Sequence, residues 1–157
     1  MSKHKPNAIG TIKIAAPAEK VYDLVSDPGS LADFAAEYCG YEWLDGATAP
    51  EVGARFKGKN RRGFARWNGV ATITAADPGR RYAFKVAVAG FTSAVWQYEI
   101  EPKDDGCLVT ESTWRLVPKP ISGTVGTLIG APNRDAVNQE HIDATLRQLK
   151  AVAEGDG

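Results

Sequence analysis

From Tyr41 to Leu116 the chain reads with a period of two, and this constrains its fold more than any other feature. The segments Tyr41–Leu44, Ala54–Lys59, Arg66–Ala75, Arg81–Val88, Ser93–Glu101 and Cys107–Leu116 all read as strands. Between them stand Asp45-Gly46, Arg62-Gly63, Asp77-Pro78-Gly79, Ala89-Gly90 and Asp104-Asp105-Gly106. These residues supply a positive φ, a fixed φ or a local side-chain hydrogen bond at a corner. Parallel neighbours need a crossover of a dozen or more residues, so short breaks imply an antiparallel meander.

Residues Gly10 to Ala15 add a strand at the start. Ile12 and Ile14 share one parity, and Thr11 and Lys13 the other. The sheet then has about seven strands, near the width at which a sheet must curl. Pro17 suits the first turn of a helix over 17–26, with Val21, Leu24 and Val25 at helical spacing. Asp27-Pro28-Gly29 stops it, and Ser30 is placed to cap a second short helix carrying Leu31, Phe34 and Ala35.

Residues 117–132 are rich in Gly and Pro yet hold Ile121, Val125, Leu128 and Ile129, which fits a connection or a gate over a cavity mouth. Asn133 can cap a last helix running to about Glu154, with Ile142, Leu146, Leu149 and Ala153 on one stripe. This predicts an α+β chain in which a curved antiparallel sheet wraps a long C-terminal helix. A sheet apolar on one face must be covered. One long and two short helices do not fill so wide a curved sheet, so an apolar ligand cavity is the expected remainder.

Composition narrows the function classes. The chain has 157 residues, enough for one domain with a real core, and its formal net charge is zero. No global field draws it to nucleic acid or an anionic surface. The N-terminus has no apolar leader, and no apolar stretch is long enough to span a bilayer, so a cytoplasmic protein without stable membrane insertion is expected. Cys39 and Cys107 lack CxxC spacing and read as two reduced, partly buried thiols, with a disulfide between them the alternative. His4 and His141 are too few and scattered for zinc. No GxGxxG, Walker, HExxH or GxSxG pattern is present, so neither a metal nor a nucleotide cofactor is called for.

The order of elements resembles the helix-grip fold of the SRPBCC or START-like superfamily. The carrying stretches are Ile14-Ala-Ala-Pro-Ala-Glu-Lys-Val-Tyr-Asp-Leu-Val-Ser-Asp-Pro28, Val52-Gly-Ala-Arg-Phe56 and Asp77-Pro-Gly-Arg-Arg-Tyr-Ala-Phe84. Trp96-Gln-Tyr-Glu-Ile-Glu-Pro102, Val109-Thr-Glu111 and Ala144-Thr-Leu-Arg-Gln-Leu-Lys150 extend it. The resemblance covers a single domain over 8–153 and is nearest to the polyketide cyclase/dehydrase-like branch found in actinobacteria. It implies binding or transport of a hydrophobic, lipid-like or polyketide-like molecule. A cofactor-free polyketide cyclase or dehydratase, and a protein-interaction module regulating a partner complex, are the alternatives. The chain would act as a monomer or homodimer, without nucleic acid.

The residues that could carry chemistry lie mainly on the strands. Trp67, Tyr82, Phe84, Trp96, Tyr98 and Trp114 are either core or pocket wall. Tyr82 and Phe84 share a face, as do Trp96 and Tyr98. Glu111 shares parity with Val109 and Thr113; facing the cavity, it would be desolvated and suited to acid–base work, and otherwise it is a solvent-facing or edge glutamate. The basic run Lys57 to Arg66 is a solvated hairpin tip or a site for an anionic head group or nucleic acid, with Asn60 and Arg66 nearest the strand bodies. His141 on the last helix is a partly exposed helix residue or a proton shuttle.

Overall fold

In the computed structural model, which describes residues 5–31, 38–88, 91–116 and 134–155, seven strands form one curved antiparallel sheet in the order β1-β7-β6-β5-β4-β3-β2. The strands are β1 Ala8–Ile14, β2 Tyr38–Trp43, β3 Arg55–Arg62, β4 Ala65–Asp77, β5 Arg81–Val88, β6 Phe91–Lys103 and β7 Gly106–Arg115. Helices α1 (Ala18–Ser26) and α2 (Pro28–Leu31) follow β1, and α3 (Arg134–Gly155) ends the chain. β2 to β7 form the expected meander, and β1 closes it against the outer side of β7.

One sheet face carries the core. Ile14, Phe56, Ile73, Tyr82, Cys107 and Val109 are essentially fully buried there, against Val21 and Val25 of α1 and the stripe Ile142, Leu146, Leu149 and Ala153 of α3. The stripe spacing therefore fulfils its expectation. α3 packs closest to β1, and Gly10 is what permits it. A Cβ at Gly10 would sit 2.7 Å from Ile142 Cγ2 and 3.1 Å from Leu146 Cδ1. The polar flank of α3 meanwhile satisfies the open edge of β1, which would otherwise present unpaired backbone groups. Gln139 accepts from Ile9 N at 3.2 Å and donates to Ile9 O at 2.8 Å. Lys150 Nζ donates to Lys13 O at 3.0 Å, and Ala15 N donates to Glu154 Oε2 at 2.8 Å.

The cap of the second short helix needs correction. Asp27, not Ser30, holds its start: Asp27 Oδ1 accepts from Gly29 N at 2.9 Å and Oδ2 from Ser30 Oγ at 3.0 Å. Aspartate is a strong cap and Pro28 supplies a helical φ without needing its missing N–H, so the helix begins earlier. Phe34, Ala35, Asn133 and the segment 117–132 lie outside the described residues. Both cysteines are free thiols, Cys39 exposed and Cys107 buried. Among the described residues no helix is long and apolar enough to cross a membrane.

Candidate functional site

The β6–β7 hairpin sets the deepest part of the site. Its corner pairs Lys103 with Gly106, and the ladder runs without a shift to Ala94 opposite Arg115. Tyr98 is thereby placed directly opposite Glu111, and across the other side of β7 Glu111 stands opposite Gly10. Directly opposed residues project from the same face. Because a Cβ at Gly10 would point at α3, Glu111 and Tyr98 belong to the face that α3 covers. Glu111 is 4 % exposed and Tyr98 2 %.

The Tyr98 phenol and the Glu111 carboxyl share a hydrogen bond. The other carboxyl oxygen, Oε1, is buried with no hydrogen-bond partner among the described residues. Burial disfavours the charged form and pushes Glu111 up to about 8, against a smaller downward pull from the Tyr98 hydrogen bond. Burial, then the Glu111 carboxyl, push the Tyr98 phenol well above its ordinary range. Near neutrality Glu111 is thus mainly a neutral acid with one O–H donor and spare acceptor capacity.

The remaining candidates divide by parity. Tyr82 stands opposite Tyr98, and Phe84 opposite Trp96, on the same inner face. Tyr82 and Phe84 are buried in the core, where Tyr82 meets Tyr22 of α1 edge-on with centroids 6.2 Å apart. Trp96 is half-buried beside them, and Thr113, opposite it, donates its hydroxyl to Val95 O at 3.0 Å. Asn60 and Trp67 oppose each other and are both half-buried. Next to them on the same face Gly58 opposes Gly69, and a Cβ at Gly69 would sit 2.7 Å from Val86 Cγ1, so Val86 covers that position.

Two expectations are corrected by the same alternation. Arg66 is exposed opposite Arg61, on the face away from Asn60 and Trp67, so it does not reach Glu111. Trp114 opposes Val95, on the face away from Glu111 and Thr113, and although buried it lies outside the core cluster. His141 is half-buried on α3 next to sheet-facing Ile142. Among the described residues no three His, Cys, Asp or Glu side chains gather as a metal site.

Residues 8–154 match the family model for polyketide cyclase / dehydrase and lipid transport proteins. The chain belongs to this family. A Polyketide_cyc-like protein from Corynebacterium glutamicum is 26 % identical, with TM-score 0.58 over 94 % of this chain and 93 % of that one. A protein from Chromobacterium violaceum shares the fold at 19 % identity and TM-score 0.65, covering 93 % of this chain and 96 % of its own. The di-domain ARO/CYC protein StfQ from the steffimycin biosynthetic pathway shares it at 12 % identity and TM-score 0.72, covering 94 % of this chain and 50 % of StfQ. No curated protein matches the sequence.

Within this family member, three features escaped the sequence. The pairing of Tyr98 with Glu111 was available by counting back from Asp104-Asp105-Gly106. The approach of α3 at Gly10 had no signal beyond a glycine inside a strand, which marks a close backbone approach. The facing pair Gly58 and Gly69 follows from the Arg62–Ala65 closure of the β3–β4 hairpin.

Proposed function

We propose that this family member binds a hydrophobic, oxygen-bearing small molecule of lipid-like or polyketide-like class between the inner face of its sheet and α3. The observation that carries this reading is Glu111. A carboxyl held neutral by burial, with one oxygen unpartnered among the described residues, is costly in a protein that only needs a core. A carbonyl or hydroxyl of a bound ligand would satisfy it. Trp96 supplies an apolar wall beside it, and Trp67 with Asn60 stands at the far end of the same face. The family's description, with its cyclases and lipid carriers, supports a ligand of this class.

The same Glu111 supports a second reading, cofactor-free cyclisation or dehydration. An acid poised near neutral pH can protonate a ligand oxygen, and Tyr98 would steady the carboxylate left behind. Glu111→Gln separates the two. Saturable binding of an apolar fluorescent probe, displaced by fatty acids or polycyclic aromatics, is expected in both proteins. If the chain is a carrier, ligand affinity changes little in the variant. If it is an enzyme, binding persists and turnover falls about 10²-fold or more. Absence of saturable binding to the folded protein refutes both.

A further inference from the structure

The β3–β4 hairpin carries a feature that the ligand site does not use. Between Arg55 and Trp67 there are six cations and no acidic residue. The cations far from the tip have partners: Arg55 lies 2.7 Å from Asp45, and Lys57 4.0 Å from Glu42. Nearer the tip, Lys59, Arg61 and Arg66 are exposed and have no acidic partner among the described residues. Arg61 and Arg66 even stand directly opposite each other, and like charges so placed destabilise a ladder unless an external anion joins them.

Beyond them the chain turns in two residues, Gly63 and Phe64, closed by Arg62 opposite Ala65. Gly63 takes φ 59°, which only glycine adopts freely and which suits the first corner of a hairpin turn. Phe64 at the second corner is fully exposed. Neither the core nor the inner face uses its ring. The order along the hairpin is therefore an aromatic apex, then opposed arginines within roughly 10 Å, then Lys59. That order matches the depth profile of a bilayer surface, where a ring enters about 5–10 Å and cations meet the headgroup phosphates.

We propose that this hairpin tip docks the protein peripherally on anionic phospholipid bilayers, with Phe64 entering the interface and Arg61, Arg66 and Lys59 on lipid phosphates. A formal net charge of zero does not oppose this, because at physiological salt only charges within about 8 Å are felt strongly. The apex geometry favours a membrane over nucleic acid, whose backbone calls for a basic groove or stripe rather than a projecting tip. Docking of this kind does not depend on the internal ligand.

The test is flotation of the full chain with phosphatidylcholine vesicles with and without phosphatidylglycerol, at low and physiological salt. Binding should require phosphatidylglycerol and weaken with salt. Phe64→Ala should weaken it about tenfold or more, from the loss of one buried aromatic side chain. The double change Arg61→Gln, Arg66→Gln should weaken it about 25-fold, at about fivefold per cation, while Arg61→Lys, Arg66→Lys should retain most of it. All these positions are exposed, and circular dichroism confirms that each variant is folded. Equal binding to both vesicle types, or binding indifferent to these variants, overturns the proposal. So does binding of a nucleic-acid oligomer through the same residues without vesicle binding.

Discussion

Replacing Glu111 with glutamine should make the protein progressively more stable, relative to the parent, as pH rises. The carboxyl titrates at about 8 in the folded chain, against an ordinary value of 4.5. Between those midpoints the folded state holds a proton that the unfolded state has released. Stability from this group is therefore fully present below about pH 4.5, is lost as pH rises, and is all lost above about pH 8. Each pH unit of that window removes about 1.4 kcal/mol, so the whole window removes roughly 4–5 kcal/mol. Domains of this size have only about 5–15 kcal/mol in total, so the effect is large. Glutamine has the carboxyl's shape, keeps an oxygen for Tyr98 and does not titrate, so near pH 5 it should cost no more than about 1 kcal/mol. Urea unfolding of both proteins from pH 5 to pH 9 gives the difference, in which every other titrating group cancels. The variant should gain on the parent up to about pH 8 and then level off. A difference that does not change with pH, or that falls, would refute the assignment of Glu111 as a buried neutral acid.

Other perturbations test the frame around this carboxyl. Tyr98→Phe removes the hydrogen bond that lowers the Glu111 midpoint, so the midpoint should move upward in a carbon-13 titration of the carboxyl. Leu149→Ala, at a fully buried position of α3, should cost about 2–5 kcal/mol in urea unfolding, and a change under about 0.5 kcal/mol would place Leu149 at the surface. Gly10→Val puts a side chain where its Cβ would lie 2.7 Å from Ile142 Cγ2. It should cost about 1–3 kcal/mol by overpacking, and an unchanged midpoint in the same assay would show that α3 moves aside freely.

The sheet was legible because its corners announce themselves. Asp104-Asp105-Gly106 and Asp77-Pro78-Gly79 both fall at strand junctions, and the predicted Arg81–Val88 is β5 residue for residue. The face of each residue was harder to read. Arg66 and Trp67 are neighbours on opposite faces, and only the two-residue corner at Gly63-Phe64 decides which of them opposes Asn60. Trp114 was grouped with the inner aromatics by residue type, although its parity already opposed that of Glu111. Register shifts between Ile73 and Ala75, and between Val86 and Ala87, break simple counting across β4 and β5. The burial of Glu111 was legible only as one of two readings, through its parity with Val109 and Thr113. It depends on α3 descending at Gly10, a contact between residues far apart in the chain.

The central claim is that a ligand meets the Glu111 carboxyl inside the fold. Its most direct measurement is the carbon-13 resonance of that carboxyl during titration with a hydroxylated anthraquinone, a flat apolar molecule bearing carbonyl oxygens. Saturable binding should shift the resonance and move its titration midpoint upward from about 8, because a ligand oxygen that accepts from the protonated acid favours that form. Saturable binding that leaves the Glu111 resonance and midpoint unchanged would contradict the claim.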